Sequence, residues 1–213
     1  MSKTLTRLFD TYSDAEHAVR ELEAMGVPHS DISIVANDAS GDHGRRTGAG
    51  GTGEAVANAA PDRDGDVSRG ASTGALLGGG AGLLAGLGML AVPGLGPVVA
   101  AGWLISTLAG AGIGAAGGAA TGTMVGSLKD AGHTDEEANV YSEGIRRGST
   151  LVSARVPDNL ATEAAALFGR RNGVDAASRG EAYRSSGWSS FDTNAPAYSA
   201  DEVTAERARH SRM

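Results

Sequence analysis

GASTGALLGGGAGLLAGLGMLAVPGLGPVVAAGWLISTLAGAGIGAAGGAATGTMVGSL, residues 70–128, runs fifty-nine positions without an Asp, Glu, Lys, Arg or His. Small residues recur in it every four positions. Gly70, Gly74, Gly78, Gly82 and Gly86 precede the middle, and Gly102, Ser106, Gly110, Gly114, Gly118, Gly122 and Gly126 follow it. Between the two stripes stands Pro93-Gly94-Leu95-Gly96-Pro97. An α-helix does not cross such a stretch, because proline lacks an N–H and its ring collides with the preceding turn. Residues four apart share one side of a helix, and glycine stripes let two helices approach backbone to backbone. The predicted element is a glycine-zipper α-helical hairpin, turning at Pro93, Gly94, Gly96 and Pro97, with the striped glycines as its packing and oligomerisation residues. Antiparallel arms would set Gly86 opposite Gly110 and Gly70 opposite Gly126, with the fold-back at position 98.

Water alone would not keep these arms helical. Residues 70–88 hold eight glycines, and at roughly 1 kcal/mol each against Ala the helix is short of about 8 kcal/mol. As helices, residues 71–92 and 98–128 would be about 33 and 46 Å long, and a bilayer core is about 30 Å thick. The large apolar side chains expected to face lipid or a protein core are Leu83, Leu84, Leu87, Leu90, Trp103, Leu104 and Leu108, which crowd toward the turn. The stem from Gly110 to Gly122 has only Ile113. Two environments meet the need: a bilayer that the hairpin spans or enters, or the shared core of a multi-chain assembly.

The remainder has the composition of a folded, acidic protein. The whole chain of 213 residues carries a net charge of −7 and includes 33 glycines and no cysteine. No basic stripe is available to offset phosphate, which argues against nucleic acid as a partner. Without cysteine there is no disulfide, thiol catalysis or Cys-based metal site. Met1 to Phe9 lacks the apolar core and cleavage site of a secretory signal. The expected location is the cytoplasmic face of the cell membrane with both termini cytoplasmic, or else a soluble cytoplasmic assembly.

Either side of the apolar run, hydrophobic periodicity alternates between strand and helix. Residues 1–37 read as β-α-β: a strand over Thr4 to Tyr12, a helix opened by Ser13 with Glu16 and stopped at Gly26, then a strand over Asp31 to Ala36. Residues 38–69, mixed in charge and poor in large apolar side chains, read as a flexible linker. Residues 129–178 read as α-β-α-β. A helix from Asp135 to Arg147 has Thr134 as its cap and Glu137 three residues on. A strand over Ser149 to Val156, a helix over Asp158 to Arg171, and a short strand from Val174 to Ser178 follow. The fold class predicted is α+β: two split β-α-β halves forming a ferredoxin-like sandwich, interrupted by the zipper hairpin.

The opening strand and helix, the PGLGPVVAAG turn, and HTDEEANVYSEGIRRGSTLVSARV from His133 to Val156 together resemble bacterial general stress proteins, which are small, heat- and stress-induced and ferredoxin-like. The resemblance covers roughly residues 3–178. It implies a stress-linked, non-enzymatic role with no assigned active site, so it brings no catalytic residues with it, and no cofactor.

Residues 179–213 lie outside that resemblance. They read as a polar tail containing Tyr183, Trp188, Phe191 and Tyr198, with a short helix from Ala200 to His210 capped by Ser199 and Glu202. Spaced aromatics in a polar segment suit either an incidental, disordered tail or anchors on a neighbouring subunit or another protein. Catalytic and metal candidates are weak. Gly48 to Gly53 has dinucleotide-loop spacing but no strand and helix around it. Asp62, Asp64 and Asp66 begin like a calcium loop, yet Val67 and Thr73 stand where Gly and Glu are required. His133 with Asp135, Glu136 and Glu137 is ligand-rich, but acids at a helix start ordinarily complement its dipole. His17, Glu21, Arg146 and Arg147 read as solvated. The expected partners are therefore the chain itself and a bilayer, and the alternative is a soluble self-assembling structural protein.

Overall fold

The computed structural model describes residues 2–40, 88–92, 94–104 and 124–210. Five strands form one antiparallel sheet: β1 (Ser2–Phe9), β2 (Ile32–Asn37), β3 (Gly88–Val92), β4 (Gly96–Gly102) and β5 (Thr150–Pro157), in the order β1-β5-β2-β4-β3. The helices are α1 (Tyr12–Ala24), α2 (Met124–Asp130), α3 (Asp135–Arg146), α4 (Ala161–Arg170), α5 (Ala176–Ser185) and α6 (Ala200–His210), and a 3-10 turn spans His29–Asp31. β5 enters between β1 and β2, pairing Ser2 with Pro157 on one side and Ile32 with Ala154 on the other. β1 and β2 therefore run parallel without touching. Beyond β1 the sheet gains a single bridge, Leu8 to Val174.

Both faces of the sheet are covered, because each central strand carries apolar side chains at odd and even positions alike. On one face Leu5, Phe9, Ile34, Val152 and Ala154 pack under α1 and α4, with Leu22, Leu167 and Phe168 closing the layer. On the other, Leu8, Val35, Val98 and Leu151 pack under α2, α3 and α5 through Met124, Leu128, Tyr141, Ile145 and Tyr183. The result is three layers, α/β/α.

Local signals explain most helix ends. Thr134 and Glu137 form the expected reciprocal cap, with Glu137 N–H donating to Thr134 Oγ1 at 3.2 Å and Thr134 N–H to Glu137 Oε2 at 2.9 Å. Gly26 and Gly148 end their helices at φ +90° and +100°, where other residues are strained. Several boundaries differ from expectation, the first strand among them, which ends at Phe9 with Tyr12 already in α1. Thr11 caps α1 in place of Ser13, accepting from Asp14 N–H at 3.1 Å. Asp158 to Leu160 form a turn before α4 begins at Ala161. Val174 contributes only its bridge, since Asp175 caps the helix that follows.

The largest correction falls on residues 88–102. They form a β-hairpin, with Val92 paired to Gly96 and Gly88 to Ala100, so the chain folds back at Gly94 and not at position 98. The reason lies in the pattern of β4: Val98 and Ala100 join one core while Val99 and Ala101 join the other. That is period two, with β-branched residues favouring the pleat, and β2 offers a partner edge from Ser33 to Asn37. The expected membrane-spanning arms are overturned as well: among the described residues no helix is long and apolar enough to cross a membrane. The rest of the predicted zipper (Gly70, Gly74, Gly78, Gly82, Gly86, Gly110, Gly114, Gly118 and Gly122) lies outside the described residues, as do Leu83, Leu84, Leu87 and Leu108.

Candidate functional site

Three places in the fold bear on function: the hairpin turn with the chain that crosses it, a cleft along β1, and a buried ion network at the end of α3.

The hairpin turn is closed by Leu95 N–H donating to Val92 C=O at 3.0 Å. Gly94 and Gly96 both have positive φ, +77° and +78°. The turn is tied back to β2, because Asp38 N–H donates to Pro97 C=O at 2.9 Å and Asn37 Nδ2 to Leu95 C=O at 3.3 Å. Of the predicted lipid- or core-facing residues, Leu104 is buried against the sheet, and Trp103 is partly buried with the Arg155 guanidinium 4.1 Å from its ring centroid. Leu90 lies on β3. Gly102 packs against a strand, where a Cβ would stand 2.0 Å from Ile32 C=O. Gly126 sits on α2.

The segment expected to be a tail is part of the fold. Tyr183 is buried in α5, edge-on to Trp188 at 5.7 Å. The chain then crosses α3, where Phe191 N–H donates to Asn139 Oδ1 at 3.1 Å. It next runs over the hairpin turn so closely that a Cβ on Gly94 would lie 2.9 Å from Thr193 Cα, and one on Gly96 2.7 Å from Ala197 Cβ. α6 carries the predicted cap, Glu202 N–H donating to Ser199 Oγ at 3.3 Å. The four aromatics thus pack on their own chain: Arg146 stands 5.8 Å from the Phe191 ring centroid and 5.4 Å from that of Tyr198.

Arg146 and Arg147 are not solvated. Both donate to one oxygen of the fully buried Glu143, at 2.7 and 2.6 Å, and Arg147 also donates to Glu206 of α6 at 2.8 Å. Its guanidinium lies 4.3 Å from the Tyr183 ring centroid. Burial works to lower the Arg147 pKa, but its bonds to Glu143 and Glu206 outweigh that and hold it above the ordinary value. The spacing of Glu143 to Arg146 and Arg147, three and four residues on, is local, whereas the bond from Arg147 to Glu206 joins residues 59 apart.

The cleft, of about 540 Å³, follows the outer edge of β1 between Lys3, Arg7, His133 and Tyr141. His133 Nε2 lies 2.8 Å from Thr6 Oγ1, which is in turn 2.8 Å from Ser153 Oγ. His133 Nδ1 is 3.6 Å from Glu137 Oε2. This superficially orders hydroxyl, imidazole and carboxylate in the sense of a nucleophile, base and orienting group. Glu137, however, is committed to capping α3, its pKa held down by the Thr134 backbone N–H, and Thr6 is buried with its hydroxyl shared between two partners. Burial lowers the His133 pKa, and burial pushes Tyr141, whose hydroxyl donates to Thr6 C=O at 3.0 Å, up to about 12. The arrangement pins the α2–α3 loop to the sheet. The acids beside His133 disperse: Asp135 pairs with Lys129 at 2.6 Å and Glu136 with Arg184 at 2.7 Å. His133, Asp135, Glu136 and Glu137 therefore do not converge on a metal, and among the described residues no cluster of three or more such ligands occurs. Glu21 of α1 is paired with Arg171. Gly48 to Gly53 and Asp62 to Asp66 lie outside the described residues.

No family model, curated protein or solved structure matches this chain.

Proposed function

We propose that this chain is a non-enzymatic stress-response protein that assembles with copies of itself through the charge-free segment of residues 70–128. The stress-linked role rests on the resemblance to bacterial general stress proteins. A ferredoxin-like reading of the body is supported by the strand order. Counting the Val174 bridge as a vestigial edge strand, Val174-β1-β5-β2 interleaves two split β-α-β units. The β3–β4 hairpin, α2 and α3 are then an insertion between the halves.

One observation carries the assembly reading. Helices close both faces of the sheet, while the strand at its far edge, GMLAV of β3, is wholly apolar and continues the charge-free run. An edge strand presents unpaired backbone groups, and natural proteins usually guard it with charge or cover. Among the described residues no strand pairs with the outer edge of β3, and an apolar edge strand continuous with a glycine-rich, charge-free run suits contact with another chain. A zipper of helices at the turn itself is not part of this reading, since residues 88–102 are strands.

The test is sedimentation of the full-length protein in detergent-free buffer over a wide concentration range. Concentration-dependent particles are expected, and Leu87→Asp or Gly118→Leu should dissociate them while leaving the body folded. A wild-type chain that stays monomeric throughout, or one found only in carbonate-washed membranes, overturns the assembly reading.

A further inference from the structure

The last turn of α4 runs into Asn172-Gly173, the only Asn-Gly pair in the chain. Asn172 is exposed, and at φ +61° it is the only residue besides glycine with a positive φ among the described residues. Its N–H donates to Gly169 C=O at 3.2 Å and that of Gly173 to Phe168 C=O at 2.8 Å, closing the helix in a left-handed cap. Gly173 has no room for a side chain: an added Cβ would stand 2.8 Å from the Phe168 carbonyl oxygen, 3.0 Å from Phe9 Cζ and 3.2 Å from Arg7 Cβ. One residue on, Val174 N–H donates to Leu8 C=O at 2.8 Å, and Leu8 N–H donates to Val174 C=O at 2.9 Å. The fold therefore demands a residue that tolerates the left-handed region, followed directly by glycine. Asn-Gly meets both demands.

The same pair is chemically labile. With no side chain on glycine to shield it, the Gly173 backbone nitrogen, once deprotonated, can attack the side-chain carbonyl carbon of Asn172. The bond from Gly173 N to Asn172 Cγ forms, the Cγ–Nδ2 bond breaks, ammonia leaves, and a five-membered succinimide remains. Water then opens the ring at either carbonyl. One opening gives aspartate with the main chain unaltered. The other gives isoaspartate, in which the main chain runs through the former side chain and is one carbon longer. Water is the only co-reactant.

In the folded chain this reaction is held back. The nitrogen that must lose its proton is donating it to Phe168 C=O, and the peptide that must turn is wedged between Phe168, Phe9 and Arg7. The end of α4 has to open first, and such local opening costs less than global unfolding. The isoaspartyl product cannot restore what it left. Its extra carbon moves Val174 out of register with Leu8, and its new carboxylate stands at a helix C-terminus, where the dipole favours cations.

We propose that Asn172-Gly173 is a conformation-gated modification site. It is closed while α4 is capped and converts to aspartate and isoaspartate when that helix end opens, and the isoaspartyl chain loses the Leu8–Val174 bridge. The modification is a covalent record of time spent open, and it does not depend on self-assembly.

The experiment incubates the full-length protein at neutral pH, folded in buffer and unfolded in concentrated urea, and follows residue 172 by peptide mapping that separates Asn, Asp and isoAsp. Conversion is expected in urea, and conversion roughly tenfold or more slower in buffer, following the population of the opened helix end. After the urea-treated protein is refolded, the Val174 amide should exchange faster in the isoaspartyl fraction than in the fraction that keeps Asn172. Asn172→Gly retains the left-handed cap but has no side-chain amide, and carried through the same treatment it should keep its Val174 protection. Equal conversion rates in buffer and urea overturn the gate. No conversion in urea overturns the site itself. An isoaspartyl chain with native protection at Val174 overturns the structural consequence, as does an equal loss of that protection in Asn172→Gly.

Discussion

The two faces of the sheet are closed by different physics. Under α1 and α4 the layer is almost entirely hydrocarbon: Phe9 meets Phe168 edge-on at 5.8 Å, with Leu22, Ile34 and Val152 around them. Under α3 and α5 an apolar core is rimmed by Glu143, Arg146, Arg147 and Glu206, and a strap from the far end of the chain completes the cover. A hydrocarbon layer loses stability in proportion to the volume removed. An ionic rim is sensitive to which partner is removed, because the survivor is left charged and desolvated.

That contrast can be broken most sharply at Phe168. Phe168→Ala should cost about 4 kcal/mol in chemical denaturation, independent of pH and salt. A loss below about 1 kcal/mol would mean that the α1–α4 layer does not carry the fold. On the other face, Glu143→Ala should cost about 3 kcal/mol by leaving Arg146 and Arg147 facing each other. Adding Glu206→Ala should cost more than it does in the wild type, since it strips Arg147 of its last carboxylate. Simple additivity in that double-mutant cycle would show that the network is not coupled.

The smallest effect is a pH dependence specific to the second face. Burial depresses His133 below its ordinary value of 6.5. The unfolded chain therefore binds a proton that the folded chain refuses, and stability falls as pH drops below about 6.5 toward the folded pKa. Glu137 adds a separate loss at lower pH, because its cap holds its pKa below the ordinary 4.5 and its stabilisation fades as the carboxyl protonates. His133→Gln should flatten the denaturation midpoint between pH 7 and pH 5, leaving the more acidic decline in place. An unaltered slope in that variant would show that His133 does not couple to folding.

The first face was legible in the sequence, and the second largely was not. β1, α1 and β2 follow one another within forty residues, and their stripes (Ala15, Ala18, Val19 and Leu22 against Ile32 and Ile34) announce their periods directly. The same holds for Thr134 with Glu137 and for Ser199 with Glu202, where the capping chemistry is local. The helical reading of residues 88–102 failed because it carried the flanking glycine stripes across a stretch whose own glycines, Gly88, Gly94, Gly96 and Gly102, do not keep that spacing. The short run Val98 to Ala101, bounded by Gly and Pro, was the signal for a strand. The docking of Phe191 on Asn139 and the pairing of Arg147 with Glu206 join residues 52 and 59 apart, which spacing cannot reveal. No catalytic or ligand site was predicted, and the hydroxyl–imidazole contact of Thr6 and His133 spans 127 residues.

β5 lies between β1 and β2, so the first β-α-β unit has a gap in its middle until Thr150 to Pro157 arrive. During synthesis the apolar run of residues 70–128 is made before the strand that seals that gap. The nascent chain therefore carries an unfinished sheet and a charge-free segment at the same moment, with pairings that span nearly the whole body still to form. Such late closure slows folding and prolongs exposure to wrong neighbours. A protein built in this order would depend on chaperone protection early in translation, and far less once Pro157 has left the ribosome.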